Sequence, residues 1–287
     1  MTRSRKGPPS VAIVTDSTAY LPAGSAELLG LRVVPLQVIV GGIVRAEGEE
    51  IGPAEIAAVL HRGHTVSTSR PSPSLFAAAY HQALSGGATS IVSVHLSGAM
   101  SGTVDAARLA AGDVGGEITV IDSRSVAMGM GFAVMAAAEA ATAGAAHDAV
   151  VDTVNRTLAN TEAIFYVDTL EFLRRGGRIG AARAMVGSAL AVKPLLSIRE
   201  GRIEPLERVR TSSRAIARLV DLAASIAGDA TVSVAVHHLD ALARAGQVAE
   251  ALDNRLPHID DIMTSELGAV VGAHTGPGML AVVICRR

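Results

Sequence analysis

The sequence predicts an α/β protein made of two α/β domains, with a mainly parallel sheet in the N-terminal domain and a mixed sheet in the C-terminal domain. Short apolar runs alternate with longer alanine-rich segments through the first half of the chain, as parallel α/β units require. Beyond residue 150 a β-hairpin pattern interrupts that alternation. The chain has 287 residues, 49% of them hydrophobic, which is enough for two cores. We expect the domains to span residues 10–160 and 161–287.

The first half alternates strands with helices, which favours parallel pairing. Its predicted strands are residues 10–16, 32–42, 89–97 and 117–123, and its predicted helical segments are residues 17–30, 52–63, 72–87, 101–112 and 124–144. Gly30 ends the first helical segment, and Pro53 suits the first turn of a helix. The proline within 32–42 places one end of that strand at a sheet edge.

The second half predicts the mixed sheet. After a helix at 148–161, extended runs are predicted at residues 163–168, 191–210, 230–238 and 279–287, with helices at 212–227 and 240–255. Within 191–210, the letters REGR stand between two extended runs, which predicts a β-hairpin with Gly201 in its turn.

Composition excludes several classes of function. A formal net charge of -2 gives no bulk attraction to nucleic acid, and an aromatic content of 2% leaves few rings to stack on bases. Cys285 is the single cysteine, which is typical of a reducing compartment. No apolar run reaches the roughly 18 residues of a transmembrane helix, and the basic start MTRSRKGPPS lacks the apolar core of a signal peptide. We expect a cytoplasmic protein without a nucleic-acid partner.

Polar stretches interrupt the apolar chain where apolar runs end: TDSTAYLP (15–22), TVSTSRPSPS (65–74), HLSGAMSGT (95–103) and IDSRS (121–125). In open parallel sheets, ligands bind beyond the carboxyl ends of the strands. Capping of the next helix is the alternative explanation, and it is favoured for the polar residues of the first and last stretch. Thr68, Ser97 and Ser101 are better ligand candidates, because their segments hold more hydroxyls than one cap requires.

The stretch AVVGAHTGPGML, residues 269–280, sets one imidazole, His274, and one hydroxyl, Thr275, among glycine, proline and aliphatic residues. An unpaired polar group in apolar surroundings costs roughly 1–3 kcal/mol. These two side chains therefore need partners, either within the protein or in a small ligand.

The combination of VTDSTAYLP, TSRPSPS, SGAMSGTVDAA, VIDSRSVAMGMG, DTLEFLRRGGRIG and GAHTGPGML resembles the DegV family, from about residue 10 to residue 283. Members of this bacterial family serve as the fatty-acid-binding subunit of fatty acid kinase. The resemblance implies two α/β domains with a tunnel between or within them, which holds the acyl chain of a long-chain fatty acid. A separate ATP-dependent kinase subunit phosphorylates the bound carboxylate. The chain is therefore expected to be a lipid carrier, with no catalytic residues and no cofactor of its own.

Motif by motif, the resemblance assigns the fatty-acid carboxyl group to Thr68, Ser97, Ser101, His274 and Thr275. Either serine of the SGAMSGT segment can be the contact, with a slight preference for Ser97. Arg178 and Arg210 match positions at the head-group end and on the partner side. Arg70 stands where the family commonly has glutamine; it either changes the charge at the tunnel mouth or points to solvent, and solvent is favoured.

Elementary chemistry agrees with this assignment. A carboxylate that leaves water must be hydrogen-bonded or neutralised, and hydroxyls or an imidazole supply donors. Whether His274 carries a proton, and so a counter-charge, is left open. The helix at 124–144 carries Met128, Met130, Phe132 and Met135, which either line the tunnel or fill the core; core packing is favoured for each. Whether the protein touches a membrane to load its ligand is also open.

The alternative function is a Ser/His-dependent hydrolase of a small acyl substrate. Ser97 or Ser101 would be its nucleophile, His274 its base, and Asp16 or Asp122 the orienting carboxylate. The G-x-S-x-G turn of such enzymes is absent.

RRGGRIG also lacks the P-loop pattern of an autonomous nucleotide site. His237 and His238 are adjacent on a predicted strand and point to opposite faces, so we predict no metal site.

Overall fold

The computed structural model describes residues 10–185 and 193–287, and these residues confirm an α/β fold with a parallel N-terminal sheet and a mixed C-terminal sheet. The strands are β1 (Val11–Asp16), β2 (Arg32–Val34), β3 (Gln37–Val40), β4 (Ile43–Ala46), β5 (Val66–Ser69), β6 (Ser90–His95), β7 (Glu117–Asp122), β8 (Thr161–Tyr166), β9 (Lys193–Arg199), β10 (Arg202–Val209), β11 (Val232–His238), β12 (Ile259–Glu266) and β13 (Leu280–Arg286). The helices are α1 (Ser25–Leu28), α2 (Pro53–His61), α3 (Pro73–Ser85), α4 (Thr103–Val114), α5 (Met128–Thr142), α6 (His147–Ala159), α7 (Glu171–Arg175), α8 (Ser212–Ala227), α9 (Leu242–Asp253) and α10 (Ala269–Thr275), and 3-10 turns span Ser17–Ala19 and Gly180–Met185.

The N-terminal sheet has the strand order β2-β1-β6-β7, with every neighbouring pair parallel. Helices cover both faces of this sheet. Alternate residues of a strand point to opposite sides, so neighbouring residues of β1 contact different helices. Val11 and Ile13 pack against α5 and α6, whereas Val14 packs against α3 and α4. Burial on both faces explains why β1 is a near-continuous apolar run in the sequence.

The C-terminal sheet has the order β10-β9-β8-β13-β11-β12. All its neighbours pair antiparallel except β11 and β12, which are parallel. The predicted hairpin is confirmed in β9 and β10, and Gly201 adopts the left-handed φ of 75° in its turn; residues 191 and 192 of the predicted run lie outside the described residues. Helices α8 and α9 cover one face of this sheet.

A third sheet was not predicted. Residues 32–42 do not form one strand: β2 belongs to the parallel sheet, while β3 joins β4 and β5 in a separate antiparallel sheet of order β4-β3-β5. Pro35 and Leu36 separate the two strands, and proline cannot donate a hydrogen bond to either ladder. The polar stretch 65–74, for which no strand was predicted, supplies β5.

Other boundaries also differ from the prediction. Helix α5 begins at Met128 and not at residue 124, because Arg124 and Ala127 have positive φ values of 50° and 56° that a helix does not accept. Strand β12 and helix α10 were missed, since β12 is rich in polar residues at a sheet edge and α10 is short and flanked by glycines. Within the described ranges, none of the helices has both the length and the apolar character to cross a bilayer. Because Asn160 lies between α6 and β8, we retain residue 160 as the proposed domain boundary.

Candidate functional site

An apolar cavity lies on the face of the C-terminal sheet opposite α8 and α9. Its floor is formed by Ala163 and Phe165 of β8 and by Ala281 and Val283 of β13, because alternate residues of paired strands point to one side. Its internal free volume is about 80 Å³. The walls include Met100, Val126, Leu173, Ile198, Val271 and Met279. Met128, Met130 and Phe132 do not line this cavity and fill the adjacent cores.

His274, at the end of α10, lines the cavity and meets Thr68 of the third sheet. His274 Nε2 and Thr68 Oγ1 are 2.8 Å apart, although the two residues are 206 positions apart in the chain. Thr68 is fixed by the pairing of β5 with β3, where it stands opposite Val38. The fold thus brings together two of the residues assigned to the carboxyl group.

The other ring nitrogen of His274 has no protein partner. His274 Nδ1 is buried and accepts or donates no hydrogen bond among the described residues. It lies against Gly176, where a Cβ atom would overlap with it, so only glycine fits at this position. A buried polar atom without a partner costs roughly 1–3 kcal/mol, and at a cavity wall a ligand is able to remove that cost.

The imidazole of His274 is neutral at pH 7. Burial, and secondarily the positive charge of Arg178, lower the pKa of His274 to about 4. In the protein without a ligand, one ring nitrogen is therefore a donor and the other an acceptor, and the ring carries no charge.

Arg178 is the positively charged residue among the described cavity-lining side chains. Its Nε donates to the carbonyl of Met100 at 3.1 Å, and its Nη1 donates to the carbonyl of Gly176 at 2.6 Å. The guanidinium therefore ties the loop after β6 to the turn after α7, and it places a positive charge beside His274.

The remaining predicted residues have other surroundings. Thr275 lines the cavity, but its hydroxyl donates to the Val271 carbonyl at 3.0 Å. Ser97 is fully buried and donates to the Gly201 carbonyl at 2.7 Å. The hydroxyl of Ser101 pairs with that of Thr103 at 2.8 Å. Ser97 and Ser101 do not line the cavity, although Met100 of the same loop does.

The two other arginines singled out in the sequence are exposed. Arg70 reaches solvent, as favoured above, and donates to the Gly102 carbonyl at 3.2 Å. Arg210 lies beyond the end of β10, outside the cavity lining.

Sequence reasoning missed the residues that hold α10. The Glu47 carboxylate accepts a hydrogen bond from the Val270 amide at 2.7 Å and from the Tyr20 hydroxyl at 2.8 Å, and the Tyr20 oxygen accepts from the Val271 amide at 3.1 Å. A Cβ at Gly268 would overlap with Tyr20. Burial raises the pKa of Glu47. In the sequence this glutamate stands in the run EGEE, which gives no sign of burial.

The geometry of the described residues does not support the hydrolase alternative. Neither Ser97 nor Ser101 is bonded to His274, and Asp16 pairs instead with His95 Nδ1 at 3.0 Å. The Ser93 hydroxyl lies 2.6 Å from His95 Nε2, so Ser93, His95 and Asp16 form a hydrogen-bonded row of the catalytic-triad type. All three of these side chains are fully buried, so no substrate reaches them.

His237 also lines the cavity but is fully committed to the protein. Its Nε2 accepts from the Met128 amide at 3.2 Å, and its Nδ1 lies 2.9 Å from the Ser265 hydroxyl. Burial lowers the pKa of His237 to about 4. No group of three potential metal ligands occurs within residues 10–185 and 193–287.

Comparison with known proteins places this α/β architecture in a defined class. The chain belongs to the DegV family: residues 10–287 match the family model described as "Uncharacterised protein, DegV family". It is 53% identical over 277 residues to a DegV domain-containing protein of Streptomyces coelicolor, covering 96% of this chain and 99% of the relative. A DegV domain-containing protein of Mycobacterium tuberculosis is 40% identical over 276 residues, covering 96% and 97% of the two chains.

Solved structures of the family have the same fold. A DegV family protein of Thermus thermophilus, described as fatty acid binding, superposes with a TM-score of 0.92 at 35% identity, over 96% of this chain and 99% of that one. DegV of Bacillus subtilis, described as a fatty acid binding protein, has a TM-score of 0.88 at 31% identity, over 97% and 100% of the two chains.

Proposed function

We propose that this protein binds a long-chain fatty acid in the apolar cavity and presents its carboxyl group to a separate ATP-dependent kinase subunit, which converts the carboxylate to an acyl phosphate. One observation carries the proposal: His274, whose buried Nδ1 has no hydrogen-bond partner among the described residues, lines the same apolar cavity as Arg178. The fatty acid binding described for the Thermus thermophilus and Bacillus subtilis relatives supports it.

The head group would be held without a protonated histidine. Because His274 is neutral, Arg178 supplies the counter-charge that a carboxylate needs when it leaves water. With a proton on Nδ1, the imidazole donates to the carboxylate while Nε2 accepts from the hydroxyl of Thr68. Thr275 lies at the same wall, and we retain it as a neighbour of the carboxyl group.

The acyl chain would supply most of the affinity. Burying about 14 methylenes at roughly 0.8 kcal/mol each contributes on the order of 11 kcal/mol before the costs of association. A free volume of about 80 Å³ holds only a handful of water-sized groups, since one water needs roughly 10–15 Å³ by this measure. Binding a long chain therefore requires the walls to separate. Met100 and Met279 are suited to this because methionine adapts its shape readily.

The other assigned residues are proposed to act around this centre. Ser97 holds the loop of Met100 against the turn at Gly201, and Ser101 is the more accessible hydroxyl of that loop. Arg210 is exposed and is proposed to face the kinase. In this proposal the chain is a carrier, and the phosphoryl transfer belongs to the partner.

Native mass spectrometry and a His274→Ala variant test the proposal. The purified protein is expected to carry a C16–C18 acid, and His274→Ala is expected to weaken fatty-acid binding modestly while phosphorylation by the kinase collapses. The exposed His81 offers the matched control, His81→Ala, which should change neither. Repeated absence of lipid would contradict the proposal, and turnover of ester substrates that Ser101→Ala abolishes would favour the hydrolase.

A further inference from the structure

A second, open cleft of about 650 Å³ lies apart from the fatty-acid cavity and shares no lining residue with it. Its walls are the turn after β1, the link from β2 to β3, the loop 47–53 and the junction of β12 with α10. Each of the three sheets therefore contributes to this cleft, which we call the acidic cleft. Nothing in the proposed function accounts for it.

The charge of the acidic cleft has one sign. The exposed carboxylates of Glu27, Glu49 and Glu266 line it, and no lysine, arginine or histidine of the described residues does. Glu27 and Glu49 form no ion pair with any residue of the described ranges. Uncompensated carboxylates along a low-dielectric wall concentrate negative potential and attract cationic groups.

An unpartnered acceptor lies beside this charge. Glu266 also borders an adjoining hollow, where His238 is 5% exposed and its Nδ1 has no hydrogen-bond partner among the described residues. His238 Nδ1 and Glu266 Oε1 are 3.9 Å apart. Burial lowers the pKa of His238, which favours the neutral ring, and Nδ1 is an acceptor in the tautomer with its proton on Nε2. Glu266 Oε1 accepts from the Asp240 amide at 3.2 Å, and Arg244 also lines the hollow. A guanidinium or ammonium group of a partner would supply further donors to the carboxylate and to His238 Nδ1.

The walls between the charges are apolar. Val33 is 40% exposed inside the cleft, and Leu242, which is 68% exposed, lines the adjoining hollow. Apolar side chains flanked by uncompensated acids fit a segment that carries both apolar residues and arginine or lysine.

The cleft is connected to the fatty-acid site through α10. Tyr20 and Glu47 line the cleft and hold the amides of Val270 and Val271. Val271 lines the fatty-acid cavity, and His274 is on the same helix. A segment bound in the cleft thus contacts the side chains that position the head-group histidine.

We propose that the acidic cleft docks an apolar, arginine- or lysine-bearing segment of the kinase subunit, with Glu27, Glu49 and Glu266 as its charge partners. This inference rests on the proposed function, because it takes the kinase as the partner. Docking at the cleft would leave the fatty-acid cavity itself untouched while orienting the carrier on the enzyme.

The test is a charge reversal, E27K/E49K, in the fatty-acid-loaded full-length protein. Binding to the purified cognate kinase subunit is measured by calorimetry at about 50 mM and about 200 mM salt, since exposed charge pairs weaken with ionic strength. The double reversal is expected to weaken binding at least about tenfold at the lower salt, because like charges then face each other. Native mass spectrometry should show unchanged fatty-acid content.

The matched control is E139K/D152K, which changes the net charge equally on the exposed surfaces of α5 and α6 and should leave kinase binding as it is. Equal affinity of E27K/E49K and the control for the kinase, with fatty acid still bound, would overturn the docking inference and leave fatty-acid carriage intact. A wild-type dimer in sedimentation that only E27K/E49K dissociates, with kinase binding unchanged, would overturn it in favour of a second copy. Absence of bound fatty acid from the wild type would instead contradict the proposed function.

Discussion

His274 depends on a residue that has no side chain. Its Nε2 contacts Thr68, while its Nδ1 occupies the space where a Cβ of residue 176 would stand. Gly176 is in a helical conformation, with φ −73°, so an alanine there meets no backbone strain. The effect of a substitution therefore comes from the overlap with the imidazole alone.

Gly176→Ala is expected to displace the ring of His274 and to weaken fatty-acid binding by about fivefold or more, because overpacking a filled site typically costs 1–3 kcal/mol. Titration with a fluorescent fatty acid measures the loss. Gly112→Ala in α4 is the matched control, since a Cβ there meets open space, and it should leave binding unchanged. Equal affinities of the two variants would contradict this account of Gly176.

His237 makes the stability of the protein sensitive to acid. Its pKa is about 4 in the folded protein and near 6.5 when unfolded. Between these values the unfolded chain binds more protons, so stability falls as the pH drops from about 6.5 towards 4. The contribution is about 3 kcal/mol at most. Urea unfolding at several pH values should show a smaller acid-induced loss in His237→Gln, whose amide can replace both hydrogen bonds, than in the exposed variant His81→Gln.

Individual site residues were predictable only where the sequence concentrates polar groups in apolar surroundings. That signal, together with the family resemblance, singled out Thr68 and His274, which the fold places in contact. It could not find Gly176 or Glu47, because their roles arise from contacts over long sequence separations. The choice between Ser97 and Ser101 stays open, and the bond from Ser97 to the Gly201 turn is a contact that no local pattern reveals.

Helix α10 has only seven residues and no capping side chain of its own. The first amides of a helix lack partners within it, and here Glu47 and Tyr20 supply them from outside. These two side chains come from the turn after β1 and the loop after β4. The position of His274 is therefore set by parts of the chain that precede it by more than 200 residues.

Tyr20→Phe is expected to lower the free energy of unfolding by about 1–3 kcal/mol, because the Val271 amide loses its acceptor and Glu47 loses a donor. The phenyl ring preserves the packing, so the loss reports the hydroxyl. Urea unfolding measures it, and dissociation of a fatty acid should also become faster as α10 loosens. A change below about 0.5 kcal/mol would indicate that water replaces the hydroxyl at no cost.

Regular elements were predicted best where one physical pattern governs them. The alternation of apolar strands and helices predicted the parallel sheet, and the REGR turn predicted the β9-β10 hairpin; the structure confirms both. The prediction of one strand over residues 32–42 was wrong. The apolar pattern continues through Pro35, but the residues before it pair with β1 and those after it pair with β4, in a different sheet. Strand β12 escaped notice since its edge position leaves many side chains exposed, which removes the apolar signal.

Across the molecule, the free volume of about 80 Å³ links ligand binding to stability. A fatty acid that fills the cavity as its walls separate makes contacts with those walls, and only the folded state offers such contacts. Saturation with a fatty acid at 100 times its dissociation constant is expected to raise the free energy of unfolding by about 2.7 kcal/mol. Thermal unfolding of delipidated protein with and without C16 acid measures this. An unchanged melting temperature would contradict binding to the folded state.

Strand β13 lies between β8 and β11, although it follows both in the chain. A nascent chain on the ribosome consequently cannot close its mixed sheet until residues 280–286 have emerged, and α10 with His274 emerges only just before them. The cavity proposed for the fatty acid is therefore complete only once this strand has joined β8. A chain without this strand would retain Thr68 of β5 but would lose Ala281 and Val283, which form half of the cavity floor.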